Sequence, residues 1–560
     1  MRLSFFIKPK FAWILPTIIF SILIVMGALA HPLWGDEAET ALFARSILTH
    51  GVPYGWDGTY LMGNDNAVSL NSDLVNHSNP WLQYYLSAAS FKLFGEGAFQ
   101  ARLPFLIIGM AGVPILYFLT LKLTKNKFVS FLTILKFSLS TTFILYAINA
   151  RYYNTNIFFG LLFLFATFYL NEKKLWPKVL LIFSTIGYTY SHYISFPTFF
   201  GALFLGYIVY FWAVGEKWKN IKSFFIKYFS LSFLGYLFFL PWILVMSPLH
   251  GRGTIDIFDY LGALQAIPDI MFFGYNFFSR NNALPLGILI LFLGVAILGY
   301  RRYSKSFELK QFAPLFLIFV TTFFYLLANA VSTIAMQSDN PTLAPRYNTI
   351  LLPLFTIISA YVLFVIYKLN KWIFVVIAAL FIFTNTFTLS GFQIRLWDYL
   401  NEVTNPYKTS DQYVADVLNK NAHDGDTAFL SLDRSHESLE FLLHKKIKFI
   451  NRISPINSVL FPKNYKTLPS YLYGFLGSPD WVVLYSKRHS GMNYYNVDIR
   501  DGYPMGLSPG VDLERDYTLT ILPVYYLSDI QRPEIEFHQF YKVIPMYNDQ
   551  VFLYHKKNAP

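Results

Sequence analysis

The 560-residue sequence is 54% hydrophobic and 19% aromatic, and only 14% of its residues are charged, about half the charged fraction of an ordinary soluble domain. This composition indicates a membrane protein and excludes a disordered or coiled-coil chain. The absence of cysteine excludes disulfides, thiolate metal sites and thiol nucleophiles. The formal net charge of +12 would suggest a nucleic-acid partner in a soluble protein, so the position of the charges along the chain matters.

Apolar segments of membrane-spanning length recur along the first two thirds of the chain, and we count about eleven of them. Their approximate positions are residues 11–31, 102–121, 128–147, 154–170, 179–195, 197–214, 229–247, 284–300, 312–332, 347–367 and 372–390. They predict an α-helical polytopic membrane module over residues 1–390, followed by a second domain over residues 391–560.

The loops between these spans differ in charge. If the N-terminus is cytoplasmic, every inner loop holds a cluster of Lys and Arg, whereas the longer outer segments hold few. The inner clusters are Arg2, Lys8 and Lys10; Lys122, Lys125 and Lys127; Lys173, Lys174 and Lys178; Lys217, Lys219, Lys222 and Lys227; Arg301, Arg302, Lys305 and Lys310; and Lys368 and Lys371. Such small, separated clusters indicate topology and exclude a nucleic-acid partner.

The charge asymmetry predicts a multi-pass protein of the cell's inner or plasma membrane with a cytoplasmic N-terminus. Residues 32–101 then form a long outer loop, and the C-terminal domain is extracytoplasmic. Residues 28–30 also resemble a signal-peptide cleavage site, but the apolar run before them is long for a signal peptide. Either interpretation leaves residue 31 outside.

The first outer loop opens with three carboxylates, Asp36, Glu37 and Glu39. Apolar residues then recur at helical spacing, which predicts an amphipathic helix on the membrane surface over residues 36–49, with a second over residues 80–94. Asp36 and Glu39 have the spacing of a capping box, so Asp36 is an N-cap, a catalytic carboxylate or both. Adjacent helical residues point about 100° apart, so Asp36 and Glu37 should play different roles. Apolar surroundings would favour a base with a raised pKa.

A few ionisable residues lie within or at the ends of the spans. Arg151 and Arg346 are expected at lipid-headgroup depth, where Arg either anchors a helix or binds phosphate through its planar fork. His192, at the outer end of the fifth span, is either a packing residue or part of a site. Lys136 lies near the middle of the third span and is a functional candidate for that reason.

Beyond residue 391 the long apolar runs cease and the charges become mixed, which predicts a soluble α/β domain. The predicted strands are residues 427–432, 447–450, 481–486, 517–523 and 551–555, and the predicted helices are residues 411–421 and 435–444.

Four motifs punctuate the membrane module. They are Gly35-Asp36-Glu37 after the first span; Gly95 with Gln100-Ala101-Arg102-Leu103-Pro104; Asn149-Ala150-Arg151-Tyr152-Tyr153; and Pro345-Arg346-Tyr347 with Leu352-Pro353. Together with the order of spans and loops, they resemble the GT-C glycosyltransferases, and within them the branch of protein O-mannosyltransferases and aminoarabinose transferases. The chain departs from that pattern at Ser78-Asn79-Pro80, where many members carry Lys-Pro-Pro.

The resemblance implies transfer of a sugar from a polyprenyl-phosphate donor to a glycan, lipid or protein acceptor on the outer face of the membrane. Asp36 would be the base, with Glu37 beside it, and a single displacement would invert the anomeric carbon. Because the Lys thought to meet the lipid phosphate is missing, its role would pass to other residues. The candidate substrate-binding residues are Arg151, Arg346, Tyr347, His77 and His192. Membrane lipids would be further partners.

Some members of this family use a divalent metal ion. In this chain the candidate ligands would be Glu37, Asp65, Asp73 and His77. Because they are scattered over a loop, the sequence leaves a metal undecided.

Two other functions compete with glycosyl transfer. A transporter or flippase of lipid-linked glycans would normally place several ionisable groups at the bilayer midplane and show internal repeats, whereas this chain has Lys136 alone there and its carboxylates cluster outside. A glycan polymerase or ligase would also use Arg on the outer face, but does not predict Gly35-Asp36-Glu37 directly after the first span.

Overall fold

A computed structural model shows a mostly helical chain with a sheet in its C-terminal region. It describes residues 11–62, 70–71, 73–77, 79–244, 309–335, 348–383, 386–388, 391–393, 395–404, 406, 408–430, 437–451, 468–472, 475–485, 499–500, 503–504, 507, 511–527 and 543–557.

The described residues fall into two compact units. Unit 1 is formed by those of Met1–Leu29 and Arg102–Thr404, and unit 2 by those of Ala30–Ala101, Asn405–Ser528 and Tyr541–Pro560. Residues 30–101 therefore belong to the same unit as the described C-terminal residues from 406 onward.

In chain order the helices are α1 (Ile14–Ala30), α2 (Gly35–His50), α3 (Leu82–Phe94), α4 (Ala98–Thr124), α5 (Lys127–Ser138), α6 (Thr141–Ile148), α7 (Tyr153–Thr167), α8 (Trp176–Ser191), α9 (Ser195–Val214), α10 (Trp218–Leu237), α11 (Leu240–Ile243), α12 (Leu309–Ala335), α13 (Leu351–Leu369), α14 (Lys371–Phe383), α15 (Arg395–Thr404), α16 (Ser410–Asn421), α17 (Glu437–Leu442) and α18 (Leu513–Asp516). The strands are β1 (Thr386–Thr388), β2 (Gly391–Gln393), β3 (Thr427–Leu430), β4 (Lys448–Phe449), β5 (Trp481–Tyr485), β6 (Ile499–Arg500), β7 (Tyr503–Pro504), β8 (Tyr517–Leu527) and β9 (Val543–Lys556).

Several helices have the length and apolar character of membrane spans. Among the described residues, α4, α9 and α13 meet both conditions alone, and two further pairs, α1 with α2 and α5 with α6, meet them only when joined. These three to five candidate spans support a multi-pass membrane protein. The predicted count of eleven is not confirmed, and the predicted span at residues 284–300 lies outside the described residues.

The third predicted span is broken. Its two halves, α5 and α6, meet at a 60° bend, where the side chain of Ser140 accepts a hydrogen bond from the backbone N–H of Phe143 at 3.4 Å and caps α6. The ring of Phe143 lies between Phe137, at a centroid distance of 3.7 Å, and Phe20 of α1, at 4.5 Å. This aromatic stack holds the bend against the first span.

Small residues and buried polar groups hold the helices of unit 1 close together. A Cβ at Gly235 of α10 would lie 2.7 Å from Cβ of Thr185 on α8, so these helices approach more closely than a larger residue allows. Arg102 is fully buried and donates to the carbonyl of Ala28 at 3.0 Å. This carbonyl lies in the last turn of α1, where helical carbonyls lack helical partners, so Arg102 has a structural role here.

The C-terminal region contains a five-stranded sheet in the order β4-β3-β5-β9-β8. Strand β3 pairs in parallel with β4 and β5, and β9 pairs antiparallel with β5 and β8. Apolar side chains of helices α16 and α17 form one core with apolar side chains of the sheet. Members of this core include Val414, Leu418, Leu439, Ile447, Trp481 and Leu553. All five predicted strands and both predicted helices of this region are present, which confirms its α/β character.

The predicted surface helix over residues 36–49 is present as α2, but it is not a surface helix. Nearly every residue from Glu37 to Ile47 is buried, because α2 packs against α3, where the rings of Phe43 and Tyr84 lie 5.1 Å apart, and against α17. Apolar residues on more than one side of α2 made this burial favourable.

The charge asymmetry predicts that Lys174 faces the cytoplasm and Asp424 the outside. Both side chains are exposed, and the chain has no cysteine of its own, so a single introduced cysteine is a unique label. In sealed right-side-out vesicles, we expect Asp424→Cys to react with a membrane-impermeant maleimide and Lys174→Cys to react only after permeabilisation. The reverse pattern would contradict the orientation.

Candidate functional site

The candidate catalytic carboxylates lie in the first turn of α2. The helix begins at Gly35, and the backbone of Trp34 before it is extended, with φ −86° and ψ 169°. The carboxylate of Glu37 accepts a hydrogen bond from the backbone N–H of Trp34 at 3.4 Å. The expectation that Asp36 is the N-cap is therefore wrong: the N-cap is Trp34, two residues earlier, and Glu37 rather than Glu39 reaches back to the cap.

The carboxylates of Asp36 and Glu37 in this turn, and of Glu39 just after it, differ in exposure. Glu37 and Glu39 are completely buried, whereas Asp36 is only partly buried. Negative charge in the first turn of a helix is stabilised by the unpaired backbone N–H groups and the helix dipole. Asp36 is thus the less buried carboxylate of this turn, and Asp36 and Glu37 are in different environments.

His77 and Asp73 lie in the loop between α2 and α3. The side chain of Asn71 accepts hydrogen bonds from the backbone N–H groups of Asp73 and Val75, both at 2.9 Å, which fixes a local turn. Burial lowers the pKa of the half-buried His77, although a hydrogen bond with the backbone of Val75 opposes the shift. The imidazole is therefore held towards its neutral form, which would offer a phosphate an N–H donor but no charge.

The described candidate metal ligands, Glu37, Asp73 and His77, do not come together. Within the part of the chain that the structure describes, no three His, Asp or Glu side chains form a group that could hold a metal ion. Asp65, one of the four candidates, lies outside that part.

Two candidate substrate-binding residues of unit 1 lie close to the same aromatic ring. The guanidinium of Arg151 lies 5.9 Å from the ring centroid of Tyr152, and the ring of His192 lies 4.8 Å from the same ring. Arg151 and His192 are 5% and 6% exposed. An Arg that only anchors a helix at the lipid interface would extend into the headgroups, whereas this Arg is buried within the bundle.

His192 has a defined hydrogen-bonding state. Its Nδ1 accepts a hydrogen bond from the backbone N–H of Ser195 at 3.0 Å, so in the neutral ring the proton is on Nε2. His192 is the C-cap residue of α8, so its imidazole lies at the turn between α8 and α9.

Below this turn lies a buried polar network that the sequence did not reveal. The hydroxyl of Ser195 lies 3.2 Å from that of Tyr188 and 3.0 Å from that of Tyr325 on α12. The amide of Asn156 donates to Thr349 at 2.9 Å and to Ser195 at 3.4 Å. The network therefore joins α7, α8, α9, α12 and the residues that precede α13. The amides of Asn154 and Asn156 near the start of an apolar span were the signal that could have indicated it.

The two other candidate substrate-binding residues, Arg346 and Tyr347, lie outside the described residues. The description resumes with Asn348 and Thr349, which are both fully buried. Lys136 is buried in α5, two residues before the end of that helix.

The fold is similar to those of two solved membrane enzymes. ArnT from Cupriavidus metallidurans bound to undecaprenyl phosphate superimposes with a TM-score of 0.53, covering 84% of this chain and 93% of that one, at 12% identity. The chain has a GT-C-like fold. The archaeal oligosaccharyltransferase AglB from Archaeoglobus fulgidus, in complex with an inhibitory peptide and a dolichol-phosphate, gives a TM-score of 0.50, covering 85% of this chain and 69% of that one, at 13% identity.

Comparisons of the sequence alone do not assign the chain to a family. No protein-family model matches the chain. A protein of Aquifex aeolicus (strain VF5) with the description "Uncharacterized protein" is 23% identical over 252 residues. The match covers 44% of this chain and 48% of that relative, so it spans about half of the relative's length.

Proposed function

We propose that the protein is a glycosyltransferase that moves a sugar from a polyprenyl-phosphate donor to an acceptor on the outer side of the membrane. The observation that carries this proposal is a partly buried carboxylate, Asp36, in the first turn of α2 directly after the first predicted span, in a chain with a GT-C-like fold. The charge asymmetry of the loops supports the outer side.

The two solved structures support the class of donor. One holds undecaprenyl phosphate and the other a dolichol-phosphate, and both lipids are polyprenyl phosphates. A site for such a donor needs cationic or N–H donors for the phosphate and an apolar surface for the prenyl chain. The acceptor is a glycan, a lipid or a protein.

In this proposal Asp36 is the general base. It takes the proton from the acceptor hydroxyl or amine while the acceptor atom bonds to the anomeric carbon of the sugar. The bond between that carbon and the phosphate oxygen breaks at the same time, and its electron pair leaves with the polyprenyl phosphate. Because a single displacement replaces one substituent from the opposite face, the anomeric configuration inverts.

Glu37 would then fix the position of Asp36. Its carboxylate is buried and bonded to the backbone of Trp34, so it holds the turn from which Asp36 projects. This assigns different roles to the two neighbouring carboxylates.

Arg151 and His192 are the proposed donors to the leaving phosphate. A guanidinium supplies a permanent charge and a planar pair of N–H groups, and both stabilise the negative charge that grows on the phosphate during transfer. Burial of Arg151 in the bundle strengthens this attraction, because the local dielectric constant is low. His77, Arg346 and Tyr347 are proposed as further substrate-binding residues on the sequence pattern alone.

Replacement of Asp36 by Asn tests the base. The amide has nearly the same shape but cannot accept the proton, so we expect transfer to fall at least about 100-fold. Mass spectrometry of the envelope glycans of a cell that makes the protein should show the loss of one sugar, with the amount of inserted protein unchanged. Asp416→Asn is the matched control, because it makes the same change in an exposed ion pair with Lys408.

A normal glycan in the Asp36→Asn cell would refute the assignment of the base. If lipid-linked glycan instead accumulated in the inner leaflet when the protein was absent, the flippase alternative would replace the transferase.

Replacement of Arg151 by Lys tests the phosphate contact. Lys keeps the charge but loses the planar fork, and the loss of one charged hydrogen bond of about 1.4 kcal/mol corresponds to about a tenfold change in affinity. We expect the donor concentration at half-maximal rate to rise by about that factor, with acceptor dependence unchanged. Arg515→Lys, at an exposed Arg, is the control. If the half-saturating donor concentration were unchanged, Arg151 would have a structural role and would not contact the phosphate.

A further inference from the structure

We propose that the C-terminal domain is a positioning element of the candidate active site, and that Ser438 holds the chain segment from which Asp36 projects. This inference rests on the proposed function, in which Asp36 is the base. It assigns a role to a domain for which the sequence suggested none.

The first contact lies just before α2. The hydroxyl of Ser438 on α17 donates to the backbone carbonyl of Leu33 at 3.2 Å. Ser438 and Leu33 are 9% and 5% exposed, so water competes little for this bond, and buried hydrogen bonds fix geometry more strongly than exposed ones. Leu33 is three residues before Asp36, and therefore the C-terminal domain touches the backbone that sets the start of the catalytic helix.

The second contact is an aromatic residue of the first outer loop within the core of the C-terminal domain. Tyr60 is 5% exposed and packs with the cluster that includes Val414 and Leu443; its ring centroid lies 5.4 Å from that of Phe449. Its hydroxyl donates to the carbonyl of Lys445 at 2.8 Å. Burial raises the pKa of Tyr60, with the nearby carboxylate of Glu440 adding to the shift, so the hydroxyl keeps its proton and remains a donor.

A local turn prepares Tyr60 for this position. One carboxylate oxygen of Asp57 accepts hydrogen bonds from the backbone N–H groups of Thr59 at 2.8 Å and Tyr60 at 2.7 Å. Such Asp-centred turns form from local sequence. The loop therefore presents the ring to the domain in a fixed direction.

The third contact connects this loop to the end of α2. The hydroxyl of Ser46, in the last part of α2, donates to the carbonyl of Tyr54 at 2.7 Å and accepts from its N–H at 3.1 Å. Nearby, the guanidinium of Arg45 lies 5.6 Å from the ring centroid of Phe441 on α17. The helix is thus held before its first turn by Ser438 and near its last turn by residues connected to the same domain.

This arrangement matters because the first turn of α2 carries the proposed base. The chain segment before that turn is held by Ser438 as well as by the bond between Glu37 and Trp34. A misplacement of a catalytic group by about 1 Å costs about 100-fold in rate. We infer that release of Leu33 would lower the rate of the chemical step while donor binding, which depends on other residues, persisted.

The test compares Ser438→Ala with Ser438→Thr in the full-length protein. The donor is the total polyprenyl-phosphate sugar extracted from the host membrane. Ser438→Ala should lower the rate at saturating donor about tenfold, with the half-saturating donor concentration and the melting temperature close to those of the wild type. Ser438→Thr, which keeps a hydroxyl, should restore most of the rate. Thr520→Ala, which removes an exposed hydroxyl from β8, should leave it unchanged.

Hydrogen–deuterium exchange gives a readout that does not depend on activity. In Ser438→Ala we expect faster exchange in peptides that cover residues 33–40 and no change at the exposed face of β8. If Ser438→Ala did not fold, Tyr60→Phe would replace it, because the ring stays in the core and only the bond to Lys445 is lost. The same changes in rate and exchange are then expected.

A wild-type rate in Ser438→Ala, alongside inactive Asp36→Asn, would overturn the positioning role and leave the proposed function intact. A general loss of stability without rescue by Thr would overturn it also. Full activity in Asp36→Asn would instead be a failure of the proposed function.

Discussion

Helix α2 carries three carboxylates within four residues and is nevertheless buried along most of its length. Buried carboxylates are costly unless hydrogen bonds or nearby cations compensate for the loss of water. The three carboxylates differ accordingly. Glu37 and Glu39 are buried, and the carboxylate of Glu37 bonds to the backbone of Trp34 before the first helical turn, whereas Asp36 is only partly buried. The proposed chemistry depends on this division, because a base must be both held and reachable.

The helices of unit 1 also bury polar groups in apolar surroundings. Its helices are joined by hydroxyl and amide groups around Ser195, and Gly235 marks a close approach between two helices. In a membrane, such bonds and close packing replace the hydrophobic driving force that water supplies elsewhere. The network lies directly after His192 in the chain, so the residues that fix the helices also fix the imidazole through the N–H of Ser195.

Much of this architecture is readable from the sequence, because periodicity and apolar length are local properties. The strands of the C-terminal sheet and the helix that begins at Gly35 follow from short patterns. The burial of α2, the insertion of Tyr60 into the core of the C-terminal region and the Ser195 network do not. They depend on contacts between distant segments, and Tyr60 and Ser195 look like ordinary polar residues in their own neighbourhoods. Helix α2 begins at Gly35, one residue before the predicted start at residue 36, and Trp34 has no capping side chain that would mark this start in the sequence.

Whatever the sugar, transfer from the proposed donor releases free polyprenyl phosphate. The most direct test is to incubate purified full-length protein, in lipid nanodiscs, with lipid-linked sugars from the host membrane and an extract of its outer envelope as acceptor. Mass spectrometry then measures polyprenyl phosphate. We predict release that requires both the protein and the acceptor extract. No release above the protein-free control, with intact lipid-linked sugar recovered, would contradict glycosyl transfer by this chain.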